Sequence, residues 1–139
     1  MSAKGWKTGV GVNHVGAYQV SGKPFASGNI DASVSDGHEI SFPNLSRWFQ
    51  VINRGTEDCR VGFSQNGVVS GSNYFMVAKA DNDANGSTGT SGILELKVAS
   101  VYLSGSNIVD VVAGLTNIDS TRVSGSTTGA NWSGSVGVG

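Results

Sequence analysis

The residues whose types and spacing could do chemistry are few, and the clearest set is Asp81-x-Asp83-x-Asn85-Gly86. It matches the first half of a calcium-binding loop, in which oxygens at alternate positions converge and a glycine permits the sharp turn. The second half departs from that pattern. Gly92 stands where a bidentate Glu is needed, and Glu95 lies further on, in a predicted strand. The flanks also read as strands rather than helices. A solvated turn is the favoured reading and calcium the alternative; calorimetry with calcium added to metal-stripped protein separates them. His14 and His38 are the two histidines, with no paired spacing that would make a metal site. They read as surface or hydrogen-bonded side chains. Cys59 is the single cysteine, so no intrachain disulfide forms, which favours a reducing compartment. Placed beside a strand, it reads as a small buried hydrophobe. No serine sits in a G-x-S-x-G elbow. A Ser-His-Asp triad is defined by geometry rather than spacing, so sequence leaves that point open. The expectation is a non-enzyme with no catalytic residues, metal or cofactor.

Other motifs read as structure. Asn44-Leu45-Ser46, Asn85-Gly86-Ser87 and Asn131-Trp132-Ser133 are glycosylation sequons, which chance supplies in a chain this rich in Asn and Ser. Arg54-Gly55-Thr56 reads as a turn. Asn66-Gly67 and Asn85-Gly86 read as tight turns of hairpins or loops, because both residue types tolerate positive φ. Trp48, Phe49, Phe63, Tyr74 and Phe75 lie in predicted strands, so core packing is their expected role, although a sugar-binding platform would use the same residue types. Trp6 and Trp132 lie in polar or Gly/Ser-rich terminal segments and are the better candidates for docking onto a surface.

The elements that must position these residues are strands. Arg47 to Val77 contains three apolar-rich runs, Trp48–Asn53, Arg60–Ser64 and Tyr74–Val77, broken at Arg54–Asp58 and Gln65–Gly67. Asn13–Val20 reads as an earlier strand. Phe25–Val34 follows, with Ile30, Ala32 and Val34 alternating against Asp31 and Ser33, the pattern of a strand wet on one face. Glu39–Phe42 is short and ends at Pro43. Ala80–Gly92 is a polar loop. Ile93–Val98 alternates cleanly, with Leu94, Leu96 and Val98 on one face, and Val101–Leu103 and Asn107–Leu115 follow. β-branched residues and Gly105 favour strand over helix across 101–115. About eight to ten short strands suit a single β-sandwich or barrel. The count fits a jelly roll, and immunoglobulin-like topology stays open, though no Cys…Trp…Cys arrangement argues for it.

Size and composition agree. The chain has 139 residues, enough for one domain with a real core. We take 1–139 as that domain, with a polar N-terminal arm over about 1–11 and a Gly/Ser-rich tail over about 124–139 that carries no charged side chain. Charged residues make up 14% and the net charge is −1, against a usual charged share of about 25%. Phosphate binding needs a basic face, so nucleic acid is not an expected partner. Neutral surface suits coverage by neighbouring proteins. No apolar run is long enough for a membrane span, and the N-terminus has no signal-peptide region, so synthesis in the cytoplasm is expected. Gly and Ser sit between blocks of Val, Ile, Phe, Tyr and Trp, where turns need them.

The phrases WFQVINRG, CRVGFSQNGV and NYFMV, with LELKVASVYLSGSN and VDVVAGLTNI, carry a family resemblance over roughly residues 40–123. The chain resembles the small single-jelly-roll capsid proteins of large icosahedral double-stranded DNA viruses, in particular the vertex (penton) proteins of algal-virus type. The resemblance implies a structural virion protein made in the host cytoplasm. Five copies would close a ring at each five-fold vertex, among the major or minor capsid proteins, with no catalytic residues to carry over. The rival expectation is a carbohydrate-binding or host-attachment module on a similar sandwich, such as a spike, decoration or tail-tip protein. A small β-sandwich enzyme is a third class, without a nominated nucleophile.

Overall fold

The computed structural model describes residues 22–33, 36–80, 89–120 and 136–139, and in them the alternation seen in the sequence becomes two four-stranded sheets. The strands are β1 (Lys23–Ile30), β2 (His38–Ser41), β3 (Asn44–Asn53), β4 (Cys59–Gly62), β5 (Tyr74–Val77), β6 (Gly89–Thr90), β7 (Ser100–Ser104) and β8 (Val109–Asp119). A single helical turn, α1 (Gln65–Val69), lies between β4 and β5. The first sheet has the order β1-β8-β3-β6 and the second β2-β7-β4-β5. Every pairing is antiparallel. β1 pairs with β8, β2 with β7, β3 with β6 and β4 with β5, so the first four strands meet the last four in reverse order. The chain is all-β in two packed sheets, as the sequence predicts.

The core lies between the sheets. Phe49 and Val51 of β3, Val61 of β4, Leu103 of β7, and Val111, Ala113 and Leu115 of β8 are buried there, with Ile30, Ile40, Phe42 and Val98. An aromatic file runs through it: Phe25 stands edge-on to Phe42 at 5.0 Å, Phe42 lies 6.5 Å from Phe49, and Phe49 is edge-on to Phe63 at 6.3 Å. Such edge contacts are favoured by the ring quadrupoles. Phe49 is therefore core, as expected, and Phe63 and Phe75 pack partly buried against it. Trp48 departs from the expectation. Strand alternation turns it, with Gln50 and Ile52, to the outer face of the first sheet, where it is half-buried.

Several predicted boundaries shift for physical reasons. Ile30 and Ala32 are buried and Asp31 and Ser33 exposed, as their alternation predicts, but pairing stops at Ile30. Residues 93–98 do not form a strand, despite their clean alternation. Leu94 exchanges both backbone hydrogen bonds with Phe49, an isolated bridge. Beyond it Ser46 intervenes: its hydroxyl donates to the Leu96 carbonyl at 2.5 Å and accepts from the Val98 amide at 3.2 Å. The Ser46 amide also donates to the Val98 carbonyl at 3.0 Å, so backbone and side chain together hold 96–98 beside β3 without a regular ladder. Leu96 and Ile93 end up exposed.

The predicted strand Arg60–Ser64 ends at Gly62, and Asn66-Gly67 is not a tight hairpin turn. Ser64 caps α1 instead, accepting a hydrogen bond from Gly67 N–H at 2.9 Å. The polar segment 80–92 contains the two-residue β6, paired to Ile52 and Asn53. The predicted strand Asn13–Val20, Val34, the arm 1–11 and most of the tail 124–139 lie outside the described residues.

Candidate functional site

Of the residues singled out for chemistry, His14, Asp81, Asp83, Asn85, Gly86, Trp6, Trp132 and the sequons at Asn85 and Asn131 lie outside the described residues. Cys59 is fully buried on the inner face of β4, as expected of a small hydrophobe. Burial pushes its thiol up to about 11, although backbone hydrogen bonds involving Ser104 and Ser106 pull the other way. A thiol so placed stays protonated and is a poor nucleophile. His38 is half-buried on β2, opposite Leu103. Glu95 is exposed and lies 3.5 Å from Arg47. The Asn44 sequon holds its serine, Ser46, fully buried in the sheet. Among the described residues no three His, Cys, Asp or Glu side chains gather as a metal site, and every buried side-chain N or O atom has a hydrogen-bond partner.

Two polar clusters fix the end of the sandwich near the 54–58 loop. Asn53, fully buried, makes four hydrogen bonds. Its amide donates to the carbonyls of Glu57 at 2.8 Å and Val77 at 3.1 Å. Its carbonyl accepts from Gly55 N–H at 2.9 Å and from the Ser106 hydroxyl at 2.6 Å. One side chain thus ties β3, β5, the 54–58 loop and the β7–β8 turn together.

The second cluster is exposed. Arg54 reaches across to Asp110 on β8 with Nε at 2.7 Å from one carboxylate oxygen and a terminal nitrogen at 3.1 Å from the other. The same guanidinium donates to the Asn29 side chain, and Asn29 N–H donates to Asp110 at 2.9 Å. Asn29 has φ +55°, at the irregular end of β1, a conformation Asn tolerates better than most residues. Arg54 holds the Asp110 carboxyl below the usual carboxylate range. Asp110, which interrupts the apolar run of β8, therefore has its charge partner in Arg54.

The two outer faces differ. On the first sheet, Pro24–Gly114–Trp48 and Ala26–Val112–Gln50 form adjacent cross-strand rows, and the next row brings Asp110 opposite Ile52. Asp110 is the one charged residue in these rows, and Arg54 neutralises it. The second sheet presents Glu39, Tyr102, Gly62 and Tyr74 in one row, with Ser104, Arg60 and Met76 in the next. Arg60 stacks over the Tyr74 ring at 4.6 Å. Burial pushes the Tyr102 hydroxyl up to about 12, and Glu39 beside it adds to the rise through its charge and by accepting a hydrogen bond. Val68 of α1 covers Gly62, where a Cβ would lie only 2.7 Å from a Val68 methyl.

Two open grooves accompany these faces. One of about 330 Å³ is lined by Phe63, Asn73, Tyr74, Phe75 and Gly137. The other, of about 340 Å³, runs beside Arg54, Asp110, Ala26 and Val112. Both are at the lower end of ligand-pocket size, about 300–1,000 Å³. In the first, the phenylalanines pack partly into the core and Arg60 stacks over the Tyr74 ring. No protein-family model, curated protein or solved structure matches the chain.

Proposed function

We propose that this chain is a structural subunit, a single jelly roll that works by packing against copies of itself and against other capsid proteins, as the vertex protein of an icosahedral virion. The strand order supports the jelly-roll reading: two sheets of four, in which β1 to β4 pair with β8 to β5 in turn. That is the path of a long hairpin wrapped around a sandwich, which an eight-stranded jelly roll follows. This reversed pairing is the observation that carries the proposal.

The outer face of the first sheet supports assembly. Trp48, Ile52 and Val112 supply apolar area without an unpaired charge in their rows, so covering them costs little desolvation. A ring of five needs two different patches per subunit, and the unlike outer faces provide candidates for them. The virion is the proposed location.

The decisive measurement is the protein's place in a particle. The expected result is a pentamer, by light scattering or on co-expression with the major capsid protein, and density for this subunit at five-fold vertices. A monomer that binds glycans and is excluded from particles would sink the reading in favour of an attachment module.

A further inference from the structure

Ser64 and Gly67 do more than shape α1. The Ser64 hydroxyl that accepts from Gly67 N–H also donates to the carbonyl of Val138 at 2.8 Å. A Cβ at Gly67 would lie 2.6 Å from that carbonyl. A Cβ at Gly139 would lie 3.0 Å from both Cα and N of Gly67. The contact therefore requires glycine on both sides. Gly137 and Gly139 have φ of +90° and +101°, left-handed values that glycine adopts without strain. Gly137 also borders the groove beside Phe63 and Tyr74, whereas Val136 stands wholly exposed. The fit is confined to Gly137-Val138-Gly139 and is specified at each of the three positions by backbone shape or by a hydrogen bond.

We propose that the Ser64–Gly67 niche is a socket between subunits, taking the Gly137-Val138-Gly139 segment of a second copy of this chain. Within one chain the segment folds back onto its own socket; between copies the same contacts form by exchange. Such exchange is a low-cost route to association, because it replaces each contact by its identical counterpart. The length of the connection permits it. Residues 120–136 separate the end of β8 from the segment, and seventeen residues span at most about 60 Å. Residues 124–139 carry no charged side chain that would oppose approach to a neighbour. The socket does not require the assembly to be a capsid.

The test is complementation, read by sedimentation velocity over a concentration series. Gly67→Ala disables the socket and leaves the segment intact; Gly139→Ala does the reverse. Wild-type chains are expected to associate as concentration rises. Each variant alone should associate at least tenfold more weakly. Their equimolar mixture should recover association in part, because one segment then meets one intact socket. A synthetic peptide covering residues 133–139 should compete with wild-type association. Should Gly67→Ala fail to fold, Ser64→Ala replaces it and should weaken association about two- to tenfold, the value of one neutral hydrogen bond. A wild type that stays monomeric, variants that associate like wild type, or a mixture no better than its parts would each overturn the socket. Particle incorporation separates this from the capsid reading: a Gly139→Ala chain that still occupies vertices defeats the socket alone.

Discussion

Asn53 shows how much of this fold hangs on single polar side chains. Replacing it with Leu would remove the partner of the buried Gly55 amide and Val77 carbonyl, of the partly exposed Glu57 carbonyl, and of the Ser106 hydroxyl, which keeps only long contacts to Ile108. We expect a loss of about 2–4 kcal/mol, since each stranded buried group costs about 1–3 kcal/mol and some will find water. Urea unfolding of Asn53→Leu measures it. Asp110 makes a pH prediction. Its folded pKa is depressed, chiefly by the Arg54 hydrogen bonds, so the pair stabilises the fold above the ordinary carboxylate pKa of about 3.9 and loses that effect as pH falls through the lower folded value. The stability gap between wild type and Arg54→Met should therefore be flat at neutral pH and close below about pH 4. Cys59 runs the other way. Its folded pKa of about 11 lies above the unfolded value, so its contribution is complete below about pH 8.5 and fades as pH rises toward 11. A thiol reagent at pH 8 should label Cys59 only at the rate of unfolding.

At the scale of elements, the sequence was legible wherever one residue pattern had one structural use. The runs 48–53, 74–77 and 101–103 became strands throughout, and the predicted 25–34 and 107–115 did so over 25–30 and 109–115. Residues 93–98 alternate as well, yet the Ser46 hydroxyl engages the Leu96 carbonyl and the Val98 amide while its N–H engages the Val98 carbonyl, and no period within 93–98 announces a hydroxyl from a distant strand. Ser46→Ala should free the Val98 amide to exchange hydrogen at least tenfold faster while distant β7 amides change little; equal protection in both proteins would contradict this account. Asn66-Gly67 departs from the tight-turn expectation for a related reason. The dipeptide suits a tight turn, but a serine two residues before it caps a helical turn instead, and Val68 then packs over Gly62. Gly62→Ala pushes a Cβ against the Val68 methyl and the Asn73 carbonyl, the latter 2.8 Å away. Overpacking of that kind costs about 1–3 kcal/mol, which a thermal melt will register. The Arg54–Asp110 partnership was hidden because its members stand on β8 and on the loop after β3, and only strand register brings them together.

The whole molecule separates what folds it from what it touches. Phe49 and Trp48 are neighbours in sequence, yet one lies in the core and the other on the outer face of the first sheet. Trp48→Glu should leave stability within about 1 kcal/mol, as for other changes outside the core, and should abolish assembly if this face packs against a neighbour. Circular dichroism and light scattering on the same sample read both. The reversed pairing of the strands has a further consequence, for how the chain reaches this state. Gly62 pairs with Tyr74 across a short connection, but Lys23 must find Leu115. Pairings of that reach are entropically late, and domains dominated by them fold in about milliseconds to seconds. Among the described residues the β4–α1–β5 unit is the one strand pair joined by a local connection, so it is the natural nucleus. Substitutions at Val61 or Val77 should then slow folding, whereas those at Val111 should mainly hasten unfolding. During synthesis β1 and β3 must wait for β8, the strand that stands between them, to emerge. Among the described strands the first sheet is completed by the last one made, so a chain interrupted before Val109 leaves β1 and β3 without the partner they share.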